Sequence, residues 1–203
     1  MNLPSMPSWG LGVLGLGGLW LAIWRKRWRY WGLAPVALGL LSIWLARPPD
    51  IVFADDGKLM AVRDTSGAYL PSLAHGEKPA KDSLTKRAAA SLGPVWPDSG
   101  ASADGSLNCD AGACIYRARG KSVTLIRDAD HFDRAQCVAD LVLANVPAWK
   151  ICPGARIIDR IDTYYNGGYA VWLDPGGIVI ESARDERGYR LWSPRRGRYS
   201  DDQ

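Results

Sequence analysis

The chain has 203 residues, 47% of them hydrophobic, with a formal net charge of +4. Every acidic residue lies at or after Asp50, and before it the only charges are Arg25, Lys26, Arg27, Arg29 and Arg47. The positive balance therefore belongs to the N-terminal segment and is only weak evidence for a nucleic-acid-binding face elsewhere, while the remainder is long enough for one modest core.

Two uncharged runs open the chain, Trp9 to Trp24 (WGLGVLGLGGLWLAIW) and Trp31 to Ala46 (WGLAPVALGLLSIWLA). Both are short for a ~30 Å hydrocarbon core, but Trp and Tyr settle at headgroup level and Arg snorkels, so flanking residues can complete a span. The expectation is a transmembrane helical hairpin over residues 1–47, with helices at about 9–24 and 31–46. Two buried helices of a soluble protein are the alternative, disfavoured because only RKRWRY separates the runs. A signal peptide fails because no basic segment precedes the first run and Arg25-Lys26-Arg27 stands where a small-residue cleavage site belongs. Arg25, Lys26, Arg27 and Arg29 mark a cytoplasmic loop by the positive-inside rule, which places both termini outside the cytoplasm. Glycines at 10, 12, 15, 17 and 18 leave little side-chain bulk, a surface suited to further partner helices.

Arg47-Pro48-Pro49-Asp50 ends the second helix, because proline has no amide proton to give. One periplasmic α/β domain is expected over 48–193. Ile51–Ala54 and Lys58–Arg63 read as strands around Asp55-Asp56-Gly57, with Ala68–Leu70 as a third. Lys81 to Leu92 reads as a helix stopped by Gly93-Pro94, and Pro97 to Ser106 as a polar loop. Cys114–Ala118 and Lys121–Arg127 form a hairpin through Arg119-Gly120. Asp128 to Cys137 reads as a short helix. Ala139–Ala144 (ADLVLA) is an apolar run typical of a strand covered on both faces. Arg156–Asp159, Tyr169–Leu173 and Gly177–Ser182 complete the strands, and residues 194–203 read as a disordered tail. Strands outnumber helices in a mixed order, which argues for layers of helix and sheet over an all-β barrel.

Cys109, Cys114, Cys137 and Cys152 are an even set in a domain placed outside the cytoplasm, and so read as two disulfides. Of three pairings, Cys109–Cys114 across CDAGAC and Cys137–Cys152 are favoured. No CxxC pair suggests zinc, and the only histidines are His75 and His131. No phosphate-cradling glycine loop or GxSxG motif occurs, so no catalytic, metal or cofactor residue is expected. His131, between Asp130 and Asp133, has the form of an acid/base group, but a solvated helix start explains it more simply. Asp159, Asp162 and Asp174 read as turn and strand-edge residues. Arg195, Arg196 and Arg198 are candidate phosphate contacts, and Trp172, Trp192, Tyr164, Tyr165 and Tyr169 candidate base-stacking groups, although a solvated tail and core packing account for both.

The order of motifs points to a family. GGLWLAIWRKRWR leads into ARPPD and DGKLMAVR; CDAGAC, CVADLVLA, CPGARIIDRIDTYYNGGYAVWLD and GIVIESARDERGYRLW follow. From about Trp9 to Trp192 this resembles the C-terminal part of alphaproteobacterial ComEC-type competence proteins, inner-membrane channels for DNA uptake. The resemblance implies a metallo-β-lactamase-like domain behind the last membrane helices. Intact domains of that kind carry an HxHxDH metal motif and are held to degrade the strand that is not imported. Here only His75 lies between Leu70 and Lys81, and Asn145-Val146-Pro147 follows ADLVLA, which is similar to the strand that leads to a metal-binding histidine. The implied fold is thus α/β, a two-helix transmembrane hairpin followed by a mixed, layered domain resembling a degenerate metallo-β-lactamase fold. The implied function is that of a catalytically inactive periplasmic domain of a DNA-uptake channel. Its expected location is the inner membrane, and its expected partners are the membrane, the remaining channel helices and single-stranded DNA through the full complex. Two helices cannot line a pore, so the chain reads as a fragment of a longer frame. The rival readings are a surviving hydrolase or nuclease and a periplasmic scaffold unrelated to DNA.

Overall fold

A computed structural model describes residues 8–45, 47–72, 91–128, 130–132, 134–148 and 151–188. The described chain divides into two compact units, one ending at Pro48 and one beginning at Pro49.

The first unit is a helical hairpin. Helix α1 (Ser8–Ile23) leads through a 3-10 segment, Arg27–Gly32, to α2 (Leu33–Leu41) and a short 3-10 turn, Ser42–Leu45. Glycine sets how closely the helices approach. A Cβ on Gly17 would lie 2.8 Å from Val36 Cγ2, and one on Gly39 would lie 2.7 Å from Leu14 Cβ. Gly10, Gly17, Gly32, Gly39 and Ser42 are the buried residues of this seam. The large side chains point the other way, with Leu16 68% and Trp44 88% exposed.

This unit corrects the transmembrane expectation. At 1.5 Å per residue, 16 residues of α1 reach only ~24 Å and nine of α2 only ~14 Å, against ~30 Å of hydrocarbon. Both stop early because the chain tightens into 3-10 geometry before Leu33 and after Leu41. Among the described residues no helix is long and apolar enough to cross a membrane. The transmembrane hairpin, the multi-pass inner-membrane location and the sidedness read from Arg25, Lys26, Arg27 and Arg29 fall with it.

The second unit is mixed α/β, built on two sheets. The first sheet is antiparallel throughout. Its strands are β1 (Ile51–Phe53), β2 (Met60–Arg63), β3 (Tyr69–Pro71), β10 (Tyr169–Asp174) and β11 (Gly177–Ser182), in the order β11-β10-β1-β2-β3. The second runs β4 (Gly100–Ala101), β5 (Leu107–Cys109), β6 (Ala113–Ala118), β7 (Lys121–Ile126), β8 (Leu141–Ala144) and β9 (Ile157–Ile158) in chain order. It is antiparallel as far as β7 and parallel from β7 to β9.

The main core lies between the sheets: Ile51, Phe53, Val62, Val171 and Leu173 from the first pack with Leu107, Val123, Leu125, Leu141 and Leu143 from the second. A second cluster covers the opposite face of the parallel strands, where Ile126, Val142 and Ala144 meet Ala148 and Cys152. Strand β8 therefore buries alternate residues in two different cores, which is why ADLVLA carries no polar alternation. Hydrogen bonds tie the sheets at their rims. Tyr116 donates its hydroxyl to the Arg63 carbonyl (2.7 Å), and the Thr65 amide donates to Asp104 (3.0 Å).

Several local expectations are corrected. Asp128–Cys137 is not a regular helix: its described residues turn and bend before a 3-10 segment at Arg134–Val138. The polar stretch 97–106 contains β4, paired with β5. Two short helices, α3 (Arg160–Asn166) and α4 (Ala183–Arg187), stand where no helix was expected, and each starts with a capping box, Asp159/Asp162 and Ser182/Asp185. The expected helix at 81–92 lies outside the described residues.

Candidate functional site

The disulfides frame the site. The register of β5 and β6 puts Cys109 opposite Cys114, and the two are bonded, with Cα atoms 3.9 Å apart. The turn between them is ordered by Asp110, whose carboxylate accepts from the amides of Gly112 (2.9 Å) and Ala113 (2.7 Å). The Gly112 carbonyl then accepts from the amides of Arg127 and Asp128, just past β7. Only glycine fits there, since a Cβ would overlap the His131 carbonyl and lie 2.7 Å from Phe132 Cα. The second disulfide, Cys137–Cys152, ties the segment after β7 to the segment after β8.

Between these loops, at the carboxyl ends of the parallel strands β7 and β8, lies a cavity of about 300 Å³ lined by Lys58, Ser72, Ala111, Arg127, Asp128 and Asn145. Ligands of open α/β sheets collect at that end of parallel strands, because the loops there diverge and leave space. Lys58 is carried by the β1–β2 turn, where Asp56 accepts from the Lys58 and Leu59 amides. Gly57 allows that turn to close against α3, with φ +65° and no room for a Cβ, which would lie 2.7 Å from Arg160 Cγ and 2.8 Å from Thr163 Oγ1. Ser72 is fixed at the end of β3, its hydroxyl accepting from the Met60 amide. Arg127 donates to the Pro97 carbonyl (3.2 Å) and sits 3.6 Å from the fully exposed Asp98. Asn145 donates to the Arg127 carbonyl (3.0 Å), linking the ends of β7 and β8, while its Oδ1 is buried without a hydrogen-bond partner.

Asp128 is the one acid on the wall. Its Oδ1 accepts from the Asp130 amide, and its Oδ2 lies 2.8 Å from His131 Nδ1. The hydrogen bond with His131 holds the Asp128 carboxyl below its ordinary range, and the same bond raises the imidazole, favouring a charged pair. The wall carries two basic residues, Lys58 and Arg127, against one acid, Asp128.

The other candidate residues do not join this site. Arg195, Arg196, Arg198, Trp192 and His75 lie outside the described residues. Tyr164 and Tyr165 stack edge to face on each other, 5.1 Å apart. Asp159 caps α3 and also accepts from the Ala148 amide, and Asp174 lies 3.7 Å from Arg119 at the far end of the strands. Among the described residues no group of three or more His, Cys, Asp or Glu side chains can hold a metal ion. Lys58 and Arg127 were missed in the sequence because strand ends 69 positions apart become neighbours only through the sheet order.

Fold and site define a disulfide-bonded module of two packed sheets with a basic cleft at the strand ends. No protein-family model, curated protein or solved structure matches the chain.

Proposed function

We propose that this chain is a non-hydrolytic accessory domain of a ComEC-type DNA-uptake system, acting beside the helices that form the channel. The observation that carries the reading is the end of β8. In the resemblance, ADLVLA precedes a metal-binding histidine, whereas here Asn145 turns its amide to the neighbouring Arg127 carbonyl and Lys58 and Arg127 supply cations to the same cleft. Such a wall suits holding a polyanion more than activating water. The two disulfides fit an oxidising compartment outside the cytoplasm.

Two measurements test this. The full chain, incubated with linear DNA and Mn²⁺ or Zn²⁺, should leave the DNA intact; cleavage abolished by a chelator would establish a nuclease instead. Removing the gene should reduce transformation by exogenous DNA. Unchanged transformation, with DNA uptake measured directly, would leave a scaffold unrelated to DNA as the better reading.

A further inference from the structure

We propose that the cleft between Lys58 and Arg127 is an anion site that takes one phosphate group, and that its natural occupant is a phosphodiester of single-stranded nucleic acid. The identity of the polymer rests on the function proposed above; the phosphate site itself does not. Three features converge. The Lys58 ammonium has no ion-pair partner among the described residues, although its backbone is fixed by the Asp56 turn. Arg127 presents a guanidinium whose one ion-pair partner among the described residues, Asp98, is fully exposed and can be exchanged for a bound anion. The Ser72 hydroxyl accepts from the Met60 amide, which leaves its proton to donate.

The cavity opens at the carboxyl ends of two parallel strands, and loops tied by two disulfides hold its walls, so an anion meets groups already in place. Asp128 opposes an anion, but both its oxygens are engaged, by the Asp130 amide and by His131. A cavity of about 300 Å³ admits a phosphate with its sugar and excludes a duplex. A single strand can lay one such unit into it.

The test is fluorescence anisotropy of the full chain with a labelled twelve-residue oligothymidylate at low salt, competed by inorganic phosphate and by thymidine monophosphate. Lys58→Ala should weaken binding about three- to tenfold and Lys58→Glu more. Arg119→Ala, which changes a cation at the opposite end of the strands, should leave it unchanged. Two cations displace few counterions, so the slope of log affinity against log salt should be shallow, about −1.4. Lys58 is exposed, so its variants keep the fold; Arg127→Gln is checked by circular dichroism before its binding is read. Displacement of the oligonucleotide by phosphate, together with the Lys58 loss, supports the site. Phosphate-dependent shifts of the Lys58 and Asn145 amide resonances without oligonucleotide binding would keep the phosphate site and overturn the polymer. Binding that ignores Lys58 and Arg127, or no response to either ligand, would overturn the proposal, and neither result bears on the transformation experiment.

Discussion

The helical hairpin and the two-sheet unit place the same kinds of residue in opposite positions. In the hairpin the buried seam is made of Gly10, Gly17, Gly32, Gly39 and Ser42, while Trp9, Leu16, Trp31 and Trp44 face outward. In the sheets Leu141, Leu143, Val171 and Leu173 are fully buried, and glycine stands in turns and at strand ends. The hairpin is held by close backbone approach, whereas the sheets are held by area removed from water. Large apolar side chains are therefore buried mainly in the second unit, while the seam of the first is made of small residues.

Predictions that probe this contrast run from large effects to small. Leu143→Ala should cost about 2–5 kcal/mol in urea unfolding, because Leu143 is fully buried between the sheets. The equivalent truncation Leu16→Ala, at a side chain 68% exposed, should stay within about 0.5 kcal/mol. Equal costs would erase the distinction between the units.

Removing the longer disulfide with Cys137→Ser and Cys152→Ser should cost about 3 kcal/mol, since it closes a 15-residue separation. Its loss should be felt first in the outer cluster around Val142 and Ala148, as faster amide exchange there than in Leu125 or Leu143. Gly39→Val should disturb the hairpin by about 1–3 kcal/mol through its clash with Leu14, read as altered fluorescence of Trp20 and Trp24. Gly12→Val, with open space around it, should lack that seam disruption. If both changes act alike, close approach is not what joins the helices.

The smallest effect is a pH dependence confined to the sheets. Burial opposes ionisation of Asp104, but hydrogen bonds from Ser102, Ser106 and the Thr65 amide outweigh it and hold its pKa at about 2. The unfolded carboxyl titrates near ~3.9. Its contribution is then fully present above that value and is lost as pH falls toward 2. Asp104→Asn should flatten the stability profile in that window. At the alkaline end, burial raises the Tyr69 phenol to about 12 and pushes Tyr116 up as well. Stability from these groups is complete below pH ~10 and declines as pH rises through the folded values. A spectrophotometric titration should find two late phenols that appear only on unfolding.

Much of the sheet unit was legible in the residues. Arg119-Gly120 marked the β6–β7 turn, and both residues have positive φ, as a two-residue hairpin turn of matching twist requires. ADLVLA announced a strand covered on both faces. The short helices were less legible, because α3 and α4 span two turns or less and offer no apolar period. Their signal was the spacing of Asp159 and Asp162, and of Ser182 and Asp185. The hairpin misled for a different reason. Uniform apolarity was read as contact with lipid, yet hydropathy does not report where a helix stops, and the 3-10 segments on either side of α2 shorten it.

The candidate site was the least legible part. Lys58, Ser72, Ala111, Arg127, Asp128 and Asn145 come from five separate stretches of chain, and no spacing connects them. What the sequence determined by itself was local: the turns, the strand candidates and the even cysteine set. Such features depend on backbone preferences and side-chain chemistry within a few residues. Only the tertiary structure decided the length of the helices, which 3-10 segments cut short, and the division of β8 between two cores and the meeting of Lys58 with Arg127, which depend on which distant strands pair and in what register.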